Sequence, residues 1–596
     1  MFQSFQVTAR PEQGPPRLAA LRAEMAQAGL DGFLIPRADA HQGEYVAPRD
    51  ERLAWLTGFT GSAGFCVALR DVAGVFIDGR YRTQVKAQVA EDFTPVPWPE
   101  VSLSTWLKEQ LPDGGKVGFD PWLHAAGQIS NAEQDLKGTG IKLVRCDNLV
   151  DRIWADQPAP PMSPVKAHPI EFAGETTDCK IARLAEGLQR DGCCAAVITL
   201  PDSIMWLLNI RGSDIAYNPV AHGFAVLHAD GRVDLFMATE KLAEVRDHLG
   251  PSVAVHDPRT FLDAIAVLEG PVQVDDGTLP QIVADALGDA MTDGGDPCAL
   301  PKACKNPAEI AGSAEAHLRD AVAVIETLCW LDEQAPGSVT ETQVVTQLEE
   351  NRRKDNALQD ISFDTIAGTG PNGAIMHYRV TEETDNRLEN GHILVLDSGG
   401  QYLDGTTDIT RTVAIGDVGT EEKTCFTRVL KGMIAMSMLR WPAGLAGRDI
   451  ECVARVPLWS AGQDFNHGVG HGVGAYLSVH EGPQRLSKVS HVPLKPGMVL
   501  SNEPGYYREG AFGIRIENLV VVEEAPALPS SDAERTMLNW RTLTFVPIDR
   551  RLILVDMLTP DERDWLNAYH RDVAEKIRPR LGQDAQLWLD AATAPI

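Results

Sequence analysis

Two aspartates frame a predicted β-hairpin in the C-terminal third of the chain. Asp397 ends the apolar run Ile393–Leu396, Asp408 heads a β-branched run, and Asp404-Gly405 between them is a turn signal. A carboxylate that follows four buried residues is costly, because an unpaired buried charge costs several kcal/mol. Asp397 therefore needs a strong hydrogen-bond partner, an ion pair or a metal.

Two glutamates repeat this arrangement further along the chain. Glu503 follows the run Val499–Asn502, and Glu517 lies within Gly513–Asn518. Two predicted hairpins thus each offer two acids. Between them lies the glycine-rich stretch His467–Pro483, which holds three histidines: His467, His471 and His480.

The charge of these four carboxylates, −4 in all, would be balanced by two divalent cations and not by one. Together with one neutral histidine they form an oxygen-rich donor set that suits Mn²⁺, Co²⁺ or Zn²⁺ better than a thiolate site would. Two ions about 3.5–4 Å apart can share one hydroxide, lower the pKa of its parent water and polarise a neighbouring carbonyl. The residues by themselves therefore predict metal-assisted hydrolysis.

Each residue taken alone also has an ordinary structural explanation. An aspartate at a strand end is commonly a turn residue, and His467 and His471 could simply flank a glycine-rich loop. Arg515, two residues before Glu517 on a predicted strand, is expected to share its face. There it is either a structural salt bridge or a clamp on the ligands, and we favour the clamp.

The elements that must position these residues are short strands broken by turns, preceded by two helices. The first helix has its cap at Asn306, a proline at its first position and Glu309 three residues after the cap, and it is predicted to run to about Leu331. The second is predicted over about 340–353. The predicted strands are 393–397, 408–415, 498–502 and 513–522.

The first half of the chain contains an apparent duplication. Arg52–Ser62 aligns with Ser203–Ser213, and each stretch follows a helical pattern, a glycine and a short apolar strand. This predicts two related α/β domains. A proline-rich linker at 156–164 and the cap at Asn306 predict domains at 1–155, 156–305 and 306–596.

Composition excludes several functional classes. The chain has 596 residues, 44% hydrophobic and 23% charged, and its 83 acidic against 54 basic residues give a net charge of −29. Nucleic acid and anionic membranes would repel such a chain. The N-terminus has no apolar signal core and no 18-residue apolar run occurs, so we expect a cytoplasmic protein. The G-x-G-x-x-G match at Gly368–Gly373 is interrupted by Pro371, which disfavours a dinucleotide site.

Taken together, the motifs strongly resemble the three-domain, cytosolic type of aminopeptidase P (Xaa-Pro aminopeptidase), a group within peptidase family M24B. The resemblance implies two creatinase-N-like α/β domains followed by a pita-bread catalytic domain, which is α+β, with a C-terminal extension. It covers nearly the whole chain. Its longest motifs are Asp397–Thr412, His467–Gly474, Val479–Pro483, Asn502–Tyr507 and Gly513–Asn518.

The resemblance also implies site roles and a function. The metal ligands would be Asp397, Asp408, His471, Glu503 and Glu517, around two ions that are usually manganese. His377, His467 and His480 would line the substrate site, Glu503 would also shuttle a proton, and Tyr507, four residues past Glu503, would support that shuttle. The implied function is hydrolysis of the N-terminal Xaa-Pro bond, releasing the first residue, through a hydroxide bridging the two metals. The implied partners are peptides with proline in second position and a second copy of the chain, as a homodimer.

Four rival interpretations remain. An X-Pro dipeptidase shares the ligand set, but the duplicated first half favours the aminopeptidase. A methionine aminopeptidase would not need the long N-terminal region. Creatinase-type hydrolases use this fold without metals, and a non-catalytic binding module usually loses metal ligands. All five ligand positions are intact here.

Overall fold

The computed structural model describes residues 1–529, 531–532 and 534–596. They form two compact units, each with its own core. The N-terminal unit comprises residues 8–170 and 175–300, and the C-terminal unit comprises residues 1–7, 171–174 and 301–596. Among the described residues, no helix combines the length and the apolar character that a membrane crossing needs.

The N-terminal unit contains two six-stranded sheets and a two-stranded one. The strands of the first sheet are β1 (Gly32–Pro36), β2 (Phe65–Leu69), β3 (Ala73–Ile77), β4 (Thr94–Pro97), β5 (Gly115–Phe119) and β6 (Ile141–Arg145). The small sheet pairs β7 (Lys166–Ala167) with β9 (Ile210–Arg211). The strands of the second large sheet are β8 (Ala195–Ile198), β10 (Phe224–His228), β11 (Val233–Phe236), β12 (Val253–His256), β13 (Val272–Val274) and β14 (Met291–Asp293).

The two large sheets have the same architecture. Their strand orders are β4-β3-β2-β1-β5-β6 and β12-β11-β10-β8-β13-β14. In each sheet the second, third and fourth strands pair antiparallel, and the flanking strands pair parallel. β1 and β8 are short apolar runs whose residues are almost all buried, as central strands require. The prediction of two related α/β domains is confirmed.

Helices cover these sheets. Apolar clusters lie on both faces of the first sheet, and a further cluster packs on the second. Two short helices, α7 and α13, lie where the chain passes between the units. The helices up to residue 305 are α1 (Gly14–Gln27), α2 (Arg52–Thr57), α3 (Gln84–Gln88), α4 (Leu103–Gln110), α5 (Ala126–Asp135), α6 (Leu149–Ile153), α7 (Ile170–Ala173), α8 (Thr177–Arg190), α9 (Pro201–Leu207), α10 (Arg246–Leu249), α11 (Phe261–Ile265), α12 (Gln281–Leu287) and α13 (Ala299–Ala303).

Backbone hydrogen bonds join the two related folds into one unit. Gln281 donates to the His124 carbonyl at 2.8 Å, and Ala126 donates to the Leu279 carbonyl at 2.8 Å. These bonds explain why two predicted domains form a single compact unit. The boundaries near residues 155 and 305 stay predictions.

The C-terminal unit carries the candidate ligands. Its helices are α14 (Pro307–Asp332), α15 (Glu341–Arg352), α16 (Thr420–Ser437), α17 (Gly447–Ile450), α18 (Cys452–Trp459), α19 (Pro560–Ile577) and α20 (Gln583–Ala592). Its strands are β15 (Leu358–Ile361), β16 (Ile366–Thr369), β17 (Ile393–Ser398), β18 (Gly400–Tyr402), β19 (Gly405–Thr406), β20 (Ile409–Ala414), β21 (Trp441–Pro442), β22 (Gly470–Gly472), β23 (Glu481–Leu486), β24 (Val499–Asn502), β25 (Gly505–Arg508), β26 (Phe512–Arg515), β27 (Asn518–Glu524) and β28 (Met537–Thr542).

The predicted helix start at Asn306 is confirmed. The Asn306 side chain accepts the Glu309 backbone N–H at 3.1 Å, and the Glu309 side chain accepts the Asn306 N–H at 2.9 Å, so both halves of the capping box form. The second helix is capped in the same way by Thr340 and Gln343. These two helices begin within a residue of the predicted positions.

The predicted strand 513–522 is wrong as a single element. It is split into β26, which pairs with β25, and β27, which pairs with β24 and β28. Glu517 lies in the gap, where its backbone N–H donates to the Thr410 carbonyl at 3.1 Å. The break places the Glu517 carboxyl beside the head of β20 instead of on a strand face.

Candidate metal centre

Three of the predicted ligands meet at one point in the C-terminal unit. The ligand atoms of Asp408, His471 and Glu517 all lie within 4.8 Å of one another. Asp408 directly precedes β20, His471 is the middle residue of β22, and Glu517 separates β26 from β27. Elements far apart in sequence thus converge on a cluster of two carboxylates and an imidazole, a donor set that can hold a divalent cation.

The two other predicted ligands border this cluster. Asp397, on β17, pairs with Thr410 on β20, and its residue is 7% exposed. Glu503 follows β24, and its Oε1 lies 3.4 Å from His471 Nε2. Asp397 and Glu503 thus lie next to the cluster of Asp408, His471 and Glu517, and their role as metal ligands stays a prediction.

The orientation of the His471 ring favours metal binding. Its Nδ1 lies 3.0 Å from the Gly472 carbonyl, which can only accept, so Nδ1 carries the proton. Nε2 is then a lone-pair donor, 3.5 Å from Asp408 Oδ2. A backbone carbonyl on the opposite ring nitrogen is the usual way in which proteins orient a metal-binding histidine.

The carboxylates of the cluster repel one another. This is typical of a metal-binding site and not of a structural network of ion pairs. Burial, followed by the charges of Asp397 and Glu503, raises the pKa of Asp408 well above its usual value. Burial and the charge of Asp408 raise the pKa of Glu517 in the same way. Burial and the charge of Glu517 raise the pKa of Glu503 to about 7. A bound cation would relieve all three effects at once.

Two buried carboxylate oxygens of the predicted ligands indicate whether this donor set suits a metal ion. Asp397 Oδ1 and Glu517 Oε1 are buried, and neither has a hydrogen-bond partner among the described residues. Their sister oxygens are engaged, Asp397 Oδ2 by Arg515 and Glu517 Oε2 by the Thr410 hydroxyl at 2.8 Å. Buried anionic oxygens without donors are unfavourable in protein alone, so the residues present fit hard divalent cations.

The Arg515 side chain hydrogen-bonds to Asp397. The expectation that Arg515 shares a face with Glu517 is wrong, because Glu517 lies beyond the end of β26. The Arg515 guanidinium instead donates to Asp397 Oδ2 from Nη2 at 2.5 Å and from Nε at 3.2 Å. Its Nη1 donates to the Tyr507 hydroxyl at 2.6 Å. Arg515 thus holds one predicted ligand and one predicted support residue.

A polar chain continues from Tyr507 to His467. His467 Nδ1 lies 2.7 Å from the Gly468 carbonyl, so Nε2 is the acceptor for the Tyr507 hydroxyl at 2.9 Å. Burial raises the pKa of Tyr507 to about 12, so this hydroxyl keeps its proton at neutral pH. Tyr507 therefore orients the His467 ring. Neither of these two hydrogen bonds involves a residue of the cluster.

His480 lies beside a predicted ligand. Its ring packs edge-on against the His471 ring, with a centroid separation of 4.4 Å and an interplanar angle of 85°. Glu481, the next residue, is buried and paired with two lysines from the start of the unit, Lys302 at 2.9 Å and Lys305. The backbone on which His480 sits is thus anchored by charge inside the protein.

His377 follows a 3₁₀ turn at Gly370–Ala374 that packs on β26. A Cβ on Gly513 would lie 1.7 Å from the Gly373 carbonyl oxygen, so only glycine allows this approach. The apparent dinucleotide motif is thereby explained, since its glycines serve chain packing. The loop that carries His377 lies against the strand that ends in Arg515.

Sequence reasoning missed a buried ion pair behind the centre. Arg352 on α15 donates to both oxygens of Asp320 on α14, at 2.5 and 3.0 Å, and also to Ser398 Oγ at 3.0 Å. The Thr407 hydroxyl donates to Asp320 at 2.6 Å. Ser398 and Thr407 directly follow and precede Asp397 and Asp408. An aspartate inside the apolar face of a helix is the one sequence signal that points to this role.

Models of known protein families match nearly the whole chain. Residues 17–153 and 156–309 each match a creatinase/prolidase N-terminal domain, residues 311–524 match metallopeptidase family M24, and residues 536–596 match the C-terminal region of that peptidase family. These matches agree with the two related sheets and with the metal-binding character of the cluster.

Relatives that match nearly the whole chain are also peptidases. Aminopeptidase P2 of Arabidopsis thaliana is 38% identical over 95% of this chain and 86% of its own. A probable Xaa-Pro aminopeptidase P of Coccidioides posadasii is 37% identical over 99% and 95% of the two chains. The X-prolyl aminopeptidase of Caenorhabditis elegans, a cytosolic enzyme with a di-nuclear active site, superimposes with a TM-score of 0.94 at 33% identity over 98% and 99% of the chains.

The cluster, the fold and these relatives define a divalent-metal site in a peptidase scaffold. The chain belongs to metallopeptidase family M24, in the group with creatinase/prolidase N-terminal domains and a pita-bread catalytic domain.

Proposed function

We propose that this protein is a metal-dependent Xaa-Pro aminopeptidase, which hydrolyses the bond between the first residue of a peptide and a proline in second position. The convergence of Asp408, His471 and Glu517 within 4.8 Å carries the proposal, because it occurs in a chain that aligns from end to end with aminopeptidases P. The non-catalytic module is disfavoured, since the whole donor set is retained in one cluster.

Two divalent cations, manganese in the first place with cobalt and zinc as alternatives, would be held by Asp397, Asp408, His471, Glu503 and Glu517. Asp408 and Glu517, at the centre, would contact both ions. When bound, such ions acidify a water that they share, so that a hydroxide bridging them is available at neutral pH, and they polarise the scissile carbonyl. Support for two ions comes from the four carboxylates, whose charge one ion would leave uncompensated.

Glu503 is the residue that would move the proton. Its Oε1 accepts the Ser501 hydroxyl at 3.2 Å, which fixes the carboxyl plane while Oε2 remains available. Held beside the water that the metals would activate, this carboxylate would take a proton from it and give it to the leaving proline nitrogen. The X-Pro amide nitrogen carries no proton of its own, so the product amine must receive one.

The three histidines would act on the substrate. His480, beside His471, is placed to donate a hydrogen bond to the carbonyl oxygen as negative charge develops there. His467 is held by Tyr507 and, through it, by Arg515. His377 would line the site from the loop that packs on β26. Together they would orient the peptide without being ligands.

The choice of proline follows from its chemistry. A general peptidase that binds extended backbone through the N–H after the scissile bond loses that contact at an X-Pro bond. A dedicated site must therefore bind the ring and polarise a tertiary amide. An X-Pro dipeptidase would use the same centre, and substrate length separates the two activities.

The test uses chelator-stripped protein, one Xaa-Pro-Yaa tripeptide and one Xaa-Pro dipeptide, with and without added Mn²⁺. Release of the first residue from the tripeptide only with metal supports the proposal. Cleavage of the dipeptide alone would indicate a dipeptidase. Failure on both peptides, with no metal bound by elemental analysis, would leave the binding module.

We also propose a cytoplasmic homodimer with domains at 1–155, 156–305 and 306–596. An exposed apolar patch supports self-association: Val456 and Trp459 on α18 are 51% and 43% exposed, and Val489 is 75% exposed. Lys488 Nζ lies 5.9 Å from the Trp459 ring, which brings these segments together. Light scattering of the Trp459→Glu variant tests the patch, because a monomer is expected if it forms the interface.

A further inference from the structure

Glu341, the first residue of α15, is a buried acid that the proposed chemistry does not use. It is fully buried, and among the described residues its carboxylate accepts hydrogen bonds only from residues 369–386. That segment, the His377 loop, runs from the end of β16 through the 3₁₀ turn and His377 to Asn386. Burial raises the pKa of the Glu341 carboxyl to about 7, so it is ionised at pH 8.

The carboxylate is saturated with donors. Oε1 accepts the Thr369 backbone N–H at 2.7 Å and Asn372 Nδ2 at 3.1 Å. Oε2 accepts the Tyr378 hydroxyl at 2.9 Å, the Asn386 backbone N–H at 3.0 Å and Asn372 Nδ2 at 3.0 Å. Five hydrogen bonds to one side chain tie both ends and the middle of the loop to α15. Such a fully satisfied buried network holds a single conformation.

The contact through Tyr378 bears directly on His377. Tyr378 is the next residue and is 4% exposed, whereas His377 is half-buried. Fixing the Tyr378 hydroxyl fixes the backbone from which the His377 side chain departs. On its other side the loop meets β26 through Gly373 and Gly513. The loop is therefore held between α15 and the strand that ends in Arg515.

We propose that Glu341 is a positioning residue, which holds the His377 loop so that His377 meets the substrate in one orientation. The inference rests on the proposed peptidase function. Glu341 touches none of the predicted ligands in the hydrogen bonds described, so its effect is expected on the substrate side and not on metal binding. Misplacement of a substrate-orienting group by about 1 Å can cost up to about 10²-fold in rate.

The Glu341→Gln variant tests this directly. It keeps the size of the side chain but replaces one acceptor oxygen by an NH₂ group, which faces N–H donors. On a Xaa-Pro-Yaa tripeptide at pH 8 with Mn²⁺, we expect kcat to fall about 10-fold, with bound metal unchanged. Tyr378→Phe removes one of the five hydrogen bonds to Glu341 and is the milder substitution for folding. It is expected to lower kcat about 3-fold.

A matched control lies on the same helix. Glu349 is also buried and accepts two backbone N–H groups, from Phe2 at 2.8 Å and Gln3 at 3.4 Å, but it holds the N-terminal segment. Glu349→Gln is expected to leave kcat within about 2-fold. An equal loss of kcat in the Glu341 and Glu349 variants would overturn the proposal, since it would reflect general weakening of α15.

A double-mutant cycle with His377→Ala separates positioning from stability. If Glu341 acts through His377, the double variant is no slower than His377→Ala alone, because a missing side chain cannot be misplaced. Multiplicative losses would overturn the proposal, as would loss of metal in Glu341→Gln.

Hydrogen exchange gives a readout that does not depend on activity. Faster exchange confined to residues 369–386 is expected in Glu341→Gln, and unchanged exchange there would overturn the anchoring role. If the wild-type protein cleaves neither peptide, the proposed function fails, but the exchange result still reports whether Glu341 holds the loop. The two failures are thereby distinguishable.

Discussion

Arg515 donates two hydrogen bonds to a single oxygen of Asp397. Nη2 and Nε lie 2.5 and 3.2 Å from Oδ2, while Oδ1 is buried without a hydrogen-bond partner among the described residues. A guanidinium that met the carboxylate edge-on would occupy both oxygens. This one fixes the plane of Asp397 and leaves the second oxygen available to a cation, as expected of a predicted ligand held by a supporting residue.

The first prediction concerns this support. Arg515→Met removes both hydrogen bonds to Asp397 and the one to Tyr507, so we expect Mn²⁺ affinity to fall by about 10–100-fold and kcat to fall with it. Arg515→Lys keeps the positive charge but lacks the paired N–H donors of the guanidinium. It is therefore expected to retain only part of the Mn²⁺ affinity. Calorimetric titration of the stripped protein with Mn²⁺ measures the change.

The control for Arg515 is Arg319→Met. Arg319 also holds one aspartate, with Nη1 and Nη2 at 3.0 and 2.9 Å from the two oxygens of Asp404, but Asp404 lies in the turn between β18 and β19. Its loss should leave Mn²⁺ affinity unaltered. Equal affinities for Arg515→Met and the wild type would contradict the assignment of Asp397 as a supported ligand.

The second prediction is that a ligand substitution stabilises the metal-free protein. Burial and mutual repulsion raise the pKa values of Asp408 and Glu517, so each charge opposes folding when no ion is bound. Asp408→Asn should therefore raise the free energy of unfolding in chelator by about 1–3 kcal/mol at pH 8. It should also abolish turnover and the stabilisation by Mn²⁺ that is expected of the wild type.

Asp320→Asn is the contrasting variant in that experiment. Asp320 is equally buried but is paired with Arg352, so its neutralisation leaves a buried guanidinium without its counter-ion. A loss of about 3–5 kcal/mol is expected there. If Asp408→Asn and Asp320→Asn destabilise the metal-free protein equally, repulsion among the carboxylates around Asp408 does not oppose folding.

Local patterns were enough to predict much of this molecule. β17 and β24 are apolar runs that end at Asp397 and Glu503, and α14 starts at a capping box, so periodicity and cap chemistry place them within a residue or two. The duplicated Trp55 and Trp206 segments predict two related folds, because a repeated pattern of buried positions dictates a repeated sheet.

Other features depend on contacts that no local pattern encodes. The break at Glu517 arises because its backbone donates to Thr410, which is remote in sequence. Glu341 and Lys302 are charged residues in helices, where sequence alone suggests a solvated face. Their burial is decided by partners elsewhere in the chain, so only the folded structure identifies them as supports of the site.

The third prediction concerns the anchor next to His480. Lys302 and Lys305 both pair with Glu481, and all three side chains are at most 3% exposed. Glu481→Gln leaves two buried ammonium groups without a counter-ion, so we expect a loss of about 3–5 kcal/mol in the free energy of unfolding. Lys302→Met leaves one matched pair and should cost clearly less.

Urea unfolding of Glu481→Gln and Lys302→Met measures their losses in the free energy of unfolding. The ordering of the losses is the informative result, because any substitution in a packed site costs something. A larger loss in Lys302→Met than in Glu481→Gln would contradict the assignment of Glu481 as the anchor of this segment.

The fourth prediction is kinetic. His480→Ala should lower kcat by about 10²–10⁴-fold with metal retained, the range for a lost acid–base or oxyanion group. His491→Ala is the control, since His491 is exposed and contacts Arg448. Elemental analysis alongside turnover is essential, because a loss of metal in His480→Ala would instead make His480 a support of His471.

The fifth prediction concerns the stability of the folded chain in acid. Burial lowers the pKa of His124 to about 4 and that of His570 to about 3, in the N-terminal and C-terminal units respectively. Both rings are therefore neutral in the folded state at pH 5, whereas in the unfolded chain they titrate near 6.5. The unfolded state binds more protons in this window, so stability falls as the pH drops from 6.5 towards 4.

His124 offers the cleaner test, because burial is the sole cause of its shift. Its ring packs edge-on against Phe119, with centroids 5.5 Å apart, so phenylalanine should fit in its place. His124→Phe is expected to remove about 2 kcal/mol from the stability lost between pH 7.5 and pH 5. His491→Phe, at an exposed position, should leave that difference unaltered. Denaturant midpoints at the two pH values measure it, and an unchanged difference in His124→Phe would show that this histidine does not contribute to acid unfolding.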